Sequence, residues 1–231
     1  MIIFSPAKTM NLDDLTNKKP TYKFKEQTNN LLDIISNMDK DTLATFLKIK
    51  GNTLDLTFDF YQNLNQTKEA IKLYDGVSFK QITSYNKEYI KDNIFIMSAL
   101  YGMVNGCDYI YPYRLDFLYK NIIDINLYKY WHDCVNEQIN KLNPDYILNL
   151  ASNEFFKMLD QKLITSDIYN LEVISDKKPS SVLMKQIRGD ILNYSIEYTI
   201  TKIKDYNKLS TDIIKNVEVD TNNLILKVYV K

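Results

Sequence analysis

Apolar residues in this chain fall into two patterns: short unbroken runs, and longer stretches spaced at helical intervals. Residues 1–4, Met-Ile-Ile-Phe, form a run that stops at Ser5-Pro6, as a buried strand does on entering a loop. Residues 93–100 and 146–150 are further runs of this kind. Residues 171–175 and 224–230 read as two more strands, the second alternating as a half-exposed strand does. Helical spacing covers residues 24–38, where Leu31, Leu32, Ile34, Ile35 and Met38 share a stripe. Asp41 stands where a cap for residues 43–47 belongs, and a helix restarts over 54–64 after the turn Lys48-Ile49-Lys50-Gly51-Asn52. Residues 67–73, 184–194 and 212–217 also read as helical. So do residues 127–142, with Trp131, Cys134, Val135 and Ile139 inward. Alternating strands and helices predict an α/β or α+β core, without fixing the strand order.

Composition narrows the class. The chain has 231 residues, 45% hydrophobic and 25% charged, with zero net charge. That suffices for a substantial core without disulfides, as one large domain or two small ones. No repeat, low-complexity stretch or long linker marks a boundary. Zero net charge opposes nonspecific nucleic-acid binding by the whole surface but leaves room for a local basic patch. Two cysteines, Cys107 and Cys134, fit neither a disulfide framework nor a zinc pattern. The one histidine, His132, falls on the 127–142 helix and reads as structural, which removes His-based triads and multi-histidine metal sites. No metal or cofactor is expected. No leader pattern or membrane-length apolar stretch is present, so the expected compartment is the cytoplasm.

The candidate chemistry gathers around arginine. Of 29 basic residues only Arg114 and Arg188 are arginine. Where lysine is the default, an arginine marks a need for a planar fork that holds carboxylate or phosphate through two hydrogen bonds. Arg114 lies in residues 100–117, a segment with two glycines, a proline and four tyrosines. Pro112 stiffens the path that presents Tyr113, a hydroxyl or a stacking face, and Arg114. Arg188 lies in Lys185-Gln186-Ile187-Arg188-Gly189, which places Lys185 and Arg188 on one face if helical. Ser5-Pro6-Ala7-Lys8-Thr9 follows a strand end and offers two hydroxyls and an ammonium to an anion, without the glycines of a P-loop. Asn149, Ser152, Asn153 and Glu154 follow another strand end, with Ser152 also suited to capping a helix.

Five segments, in this order, resemble the YaaA-type peroxide-stress proteins. They are Ser5-Pro6-Ala7-Lys8-Thr9, Tyr74-Asp75-Gly76-Val77-Ser78-Phe79, the segment from Leu100-Tyr101-Gly102 to Pro112-Tyr113-Arg114-Leu115, Asn149-Leu150-Ala151-Ser152-Asn153-Glu154-Phe155, and Lys185 to Gly189. The resemblance spans residues 1 to about 195. It implies a single compact α+β domain over 1–231 with a mixed central sheet and surrounding helices. It also implies a cytoplasmic protein that helps cells survive hydrogen peroxide, limits iron damage and binds DNA through a helix-hairpin-helix. By position the hairpin is residues 41–61, with Lys48, Lys50, Gly51 and Asn52 at the turn gripping a phosphate.

Two readings stay open. One is a DNA-binding protein that shields DNA from iron and peroxide. The other is an enzyme or small-ligand binder whose cleft brings Ser5, Lys8, Thr9, Tyr113, Arg114, Asn149, Ser152, Lys185 and Arg188 around an anionic, nucleotide-like substrate, with Tyr113 as proton donor or stacking platform. A third, an iron chaperone, has only carboxylates such as Asp108, Asp116 and Glu154 to work with. The second reading requires these distant segments to converge in space.

Overall fold

The computed structural model describes residues 1–119 and 125–231. The chain opens with β1 (Ile2–Phe4) and a long loop, then three helices, α1 (Lys25–Ser36), α2 (Lys40–Leu47) and α3 (Asn52–Gln62). A short strand β2 (Lys68–Glu69) runs into α4 (Ala70–Leu73), a 3-10 turn (Phe79–Gln81) and α5 (Lys87–Asn93). Next come β3 (Ile94–Ser98), β4 (Gly102–Asn105), β5 (Tyr109–Ile110), α6 (Leu127–Leu142), β6 (Tyr146–Leu150) and α7 (Asn153–Phe156). The last elements are β7 (Asp167–Ile174), α8 (Ser181–Glu197), a second 3-10 segment (Ile203–Lys208), β8 (Ile214–Asp220) and β9 (Ile225–Val230).

Seven strands form one mixed sheet in the order β4-β3-β1-β6-β7-β9-β8. The inner five are parallel, and β4 and β8 are antiparallel edges. β2 and β5 pair separately. The central strands β1, β3 and β6 are buried almost throughout, as continuous runs such as Ile2-Ile3-Phe4 require, whereas β7 and β9 are partly exposed. This is the α+β architecture with a mixed sheet that the sequence implied. No helix among the described residues is long and apolar enough to cross a membrane.

Local chemistry explains where elements begin. Asn126 caps α6 by accepting from the Tyr128 and Lys129 amides. Asn143, with φ of 45°, ends it in the left-handed region that asparagine tolerates. Asp39, rather than Asp41, caps α2, accepting from the Thr42 amide at 2.7 Å. The largest correction is residues 212–217, read above as helix, where the structure has β8. Ile214 and Val217 are both buried although three apart. A register shift between Ile214 and Asn216 inserts an irregularity into the β8–β9 ladder. It turns the strand's two-residue alternation into a spacing that mimics a helix. Residues 67–73 divide between β2 and α4.

Trp131 of α6 is fully buried. Its indole N–H donates to the Ala99 carbonyl at 2.8 Å, which fixes the turn after β3 to α6. Trp131→Ala is expected to cost about 3–5 kcal/mol from lost contacts and a cavity, while truncating the exposed Leu142 changes little; urea midpoints of the two variants check this.

Candidate functional site

The parallel strands β1 and β6 end side by side, with Phe4 opposite Leu150. The chain leaves β1 for β3 on one side and leaves β6 for β7 on the other. Where successive connections diverge in this way, the sheet opens a crevice at the strands' carboxyl ends. A cleft of about 340 Å³ lies there. Its base is closed by Ser5 Oγ, which accepts from the Ser152 amide at 2.8 Å and lies 3.4 Å from Ser152 Oγ. Ser152 occupies the cap position of α7, but its side chain makes no capping bond and turns to Ser5 instead.

The cleft collects residues from across the chain. Ser5, Lys8 and Thr9 come from the loop after β1, and Ser152 from the loop after β6. Tyr113 and Arg114 come from the segment after β5, and Lys185 and Arg188 from α8. Asn149 is not among the lining residues. It is buried, donating to Asn170 Oδ1 at 2.8 Å and accepting from the Ala151 amide at 3.0 Å, so it braces the end of β6. Lys48, Lys50, Gly51 and Asn52 lie outside the cleft, at an exposed turn.

The Tyr113–Arg114 segment is held rigidly. Ser98 Oγ accepts from the Leu100 and Tyr101 amides, which turns the chain out of β3. The same hydroxyl meets Tyr113 OH at 2.7 Å, and Tyr113 OH meets Tyr74 OH at 2.9 Å. Tyr113 therefore offers the cleft its ring, while its hydroxyl is committed inside the protein. Burial pushes that phenol well above its ordinary value. Tyr61 of α3 grips the next residue at both ends: its hydroxyl donates to the Arg114 carbonyl at 2.8 Å and accepts from the Arg114 amide at 3.2 Å.

On the other wall, Ser180 caps α8 through the Leu183 amide at 3.1 Å. Lys185 and Arg188, three residues apart in this helix, share a face. Gly189 lets the helix lie directly on the segment before the 3-10 turn. A Cβ there would run into the Ser78 carbonyl oxygen and stand 2.8 Å from Gln81 Cβ.

The electrostatics are unusual. Among the described residues, every ion pair takes its cation from lysine or histidine, and none from arginine. Five buried side-chain polar atoms lack a hydrogen-bond partner there: Arg114 Nε, Arg188 Nε, Asp116 Oδ2, Glu154 Oε1 and Thr28 Oγ1. The first four belong to residues lining this one cleft. Buried polar groups are nearly always paired, so such a concentration marks a place built for something else to pair with. Burial lowers the Arg188 guanidinium from its ordinary value, without bringing it near neutrality. Lys8 Nζ lies 2.7 Å from Asp116 Oδ2, so of these four atoms that oxygen alone already has a charged partner among the described residues. That contact raises the Lys8 ammonium above its ordinary value. Glu154 is shifted upward, first by burial and then by Asp116.

Asp116 and Glu154, named above as carboxylates open to iron and Glu154 also as a polar residue at a strand end, line the same cleft. The Gly76–Phe79 wall was visible in the sequence only as one of the five resembling segments. Asp108, grouped with these carboxylates above, is committed elsewhere, accepting from Thr21 Oγ1 and the Asn105 amide. His132 sits on α6 with Nδ1 2.8 Å from Asp133 Oδ1, outside the cleft.

A family model described as "Peroxide stress protein YaaA" matches residues 1–214. The chain belongs to the YaaA family. It is 36% identical to a UPF0246 protein of Fusobacterium nucleatum, with 91% of each chain covered. It is 31% identical to one of Malacoplasma penetrans over 99% of each chain. A third, from Crocosphaera subtropica, is 31% identical over 90% of this chain and 92% of the relative. The matched residues 1–214 include every residue that lines the cleft.

Gly189→Ala tests how Arg188 is positioned. Forcing α8 off Ser78 is expected to cost about 1–3 kcal/mol of stability. It also moves Arg188, so retention on a phosphate-bearing resin falls more than thermal stability alone explains; Ser181→Ala, on the exposed end of the same helix, leaves both unchanged.

Proposed function

We propose that this member of the YaaA family serves in peroxide stress by binding a phosphate-bearing small molecule in the cleft between β1 and β6. The observation that carries this reading is the pair of arginines lining one cavity, each with a buried Nε and no partner among the described residues. A guanidinium withdrawn from water without an acceptor is costly, and an anion held by the fork removes that cost. Lys185, on the same helix face as Arg188, adds positive charge at the rim. The volume lies at the small end of the usual ~300–1,000 Å³ for ligand pockets and suits one nucleotide-sized guest. The protein is read here as one domain acting in the cytoplasm.

A second reading, DNA binding by the hairpin, is favoured by the turn between α2 and α3. Lys48 has φ of 52° and Gly51 φ of 58°, and both are exposed with Lys50 and Asn52. The turn thereby presents lysines beside the first-turn amides of α3, a combination that suits a backbone phosphate. Lys40 and Asp55 tie the two helices at 2.6 Å, which takes one acidic group out of opposition to DNA. Tyr61, at the far end of α3, connects this hairpin to Arg114.

Isothermal titration with adenosine monophosphate tests the first reading. Arg114→Ala and Arg188→Ala are each expected to weaken binding about 10- to 100-fold, the worth of a charge-assisted hydrogen bond. Unchanged affinity in both variants rules the cleft out as the phosphate site. For the second reading, Lys48→Glu with Lys50→Glu is expected to weaken duplex DNA binding uniformly across sequences, and to lower the salt slope by about 2. The same pair leaves nucleotide binding intact.

A further inference from the structure

Two carboxyl groups line the cleft, and they differ in their partners. Lys8 sits against Asp116. Glu154 makes no side-chain hydrogen bond among the described residues. Its Oε1 is buried without a donor, which leaves Oε2 as the oxygen open to the cleft. An ionised carboxylate with one oxygen sealed away from both water and donors is strongly disfavoured, whereas a neutral acid can keep Oε1 as an unprotonated carbonyl oxygen and carry its proton on Oε2. The groups facing Glu154 support the neutral form. Asp116, from the segment after β5, repels its charge, and Lys8, from the loop after β1, opposes that repulsion only in part. From α6 comes Tyr128, whose hydroxyl donates to the Glu154 backbone carbonyl at 3.0 Å and leaves the carboxyl untouched. Arg114, Lys185 and Arg188 complete the charged lining.

The remaining surface is aromatic and apolar. Phe4, Phe79, Tyr113 and Phe155 line the cleft, with Phe4 and Phe79 in edge contact at 5.2 Å between ring centroids. Such a wall accepts a planar heterocycle, and the Glu154 carboxyl in the same cleft is a hydrogen-bond donor when neutral.

We propose that the guest is a nucleoside monophosphate, that Arg114 and Arg188 hold its phosphate, and that Glu154 as a neutral carboxylic acid donates a hydrogen bond to an acceptor on its base. This rests on the cleft reading above and deepens it. The base makes the ligand more than a phosphate, and the acid makes binding depend on a proton. Binding then requires the protonated form of Glu154. It is fully available below the carboxyl's value in the free protein, and the population that can bind falls about tenfold per pH unit above it. A phosphate's own second ionisation, near pH 6, acts in the opposite direction, so the comparison must cancel it. Glu154→Gln does so, because an amide donates at every pH.

The test is titration calorimetry of wild type and Glu154→Gln from pH 5 to pH 8. The probes are the adenosine, guanosine, cytidine and uridine monophosphates, ribose 5-phosphate and inorganic phosphate. At least one nucleotide is expected to bind tenfold or more tighter than ribose 5-phosphate. The two proteins should bind it about equally at pH 5, and Glu154→Gln should bind it at least tenfold tighter at pH 8. Wild type, titrated in two buffers of different ionisation enthalpy, should take up a proton on binding at pH 8; this measurement needs no variant to fold. A constant wild-type to Glu154→Gln ratio, or no proton uptake, overturns the role of Glu154. Equal affinity for nucleotides and ribose 5-phosphate overturns the base contact. Failure of every phosphate-bearing probe to bind overturns the cleft reading itself, a result distinct from both.

Discussion

The structure depends on the pairing of β1 between β3 and β6. Only three residues make this strand, and all are buried. Parallel pairing on both sides sets Phe4 level with Ile96 and with Leu150. That register brings the carboxyl ends of three strands to one edge, so the loops after them meet. A slip of one residue inverts which side chains face which layer, and Ser5 loses the Ser152 amide that closes the cleft base. The site's geometry is therefore set by backbone hydrogen bonds in the core, and the polar residues at its mouth inherit it.

Charge follows from that frame. The arginines approach from different elements, one on a loop held by Tyr61 and one on a helix seated through Gly189. Each is partly desolvated and without an acidic partner among the described residues, while the Asp116 carboxylate is occupied by Lys8. A protein that needed these guanidiniums only for stability has carboxylates nearby with which to pair them. The unpaired donors, and a carboxyl whose charged form burial disfavours, instead suit a guest that brings both an anion and an acceptor. The hairpin adds a mechanical connection. α3 has 11 residues, about 16 Å at 1.5 Å each, so the exposed turn at its start and the Tyr61 grip on Arg114 at its end are joined by one rigid rod.

Much of this was legible from sequence, and the rest was hidden for physical reasons. Unbroken apolar runs gave β1, β3 and β6, because strands buried on both faces need no alternation. The α6 boundaries followed from periodicity, and the structure shows Asn126 and Asn143 holding its two ends. The scarcity of arginine pointed to Arg114 and Arg188, which do line one cleft, although convergence itself depends on strand order, and no local pattern encodes that. β8 misled because its irregularity at Ile214–Asn216 imitates helical spacing. Tyr113 misled because a tyrosine's hydroxyl partners, here Ser98 and Tyr74, lie far away in sequence. Asn149 marked the right strand end but faces β7. Asp116 and Glu154 were visible as carboxylates, but their place among the basic residues depends on strand order, which no local pattern encodes.

The most direct measurement is a crystal structure of the full chain grown with a nucleoside monophosphate. The account predicts the phosphate within hydrogen-bond distance of the Arg114 and Arg188 guanidiniums, the base against the Phe4–Phe79 wall, and Glu154 Oε2 facing a base acceptor. Phosphate density bound at the α2–α3 turn alone, with both guanidiniums still without an acceptor, contradicts it.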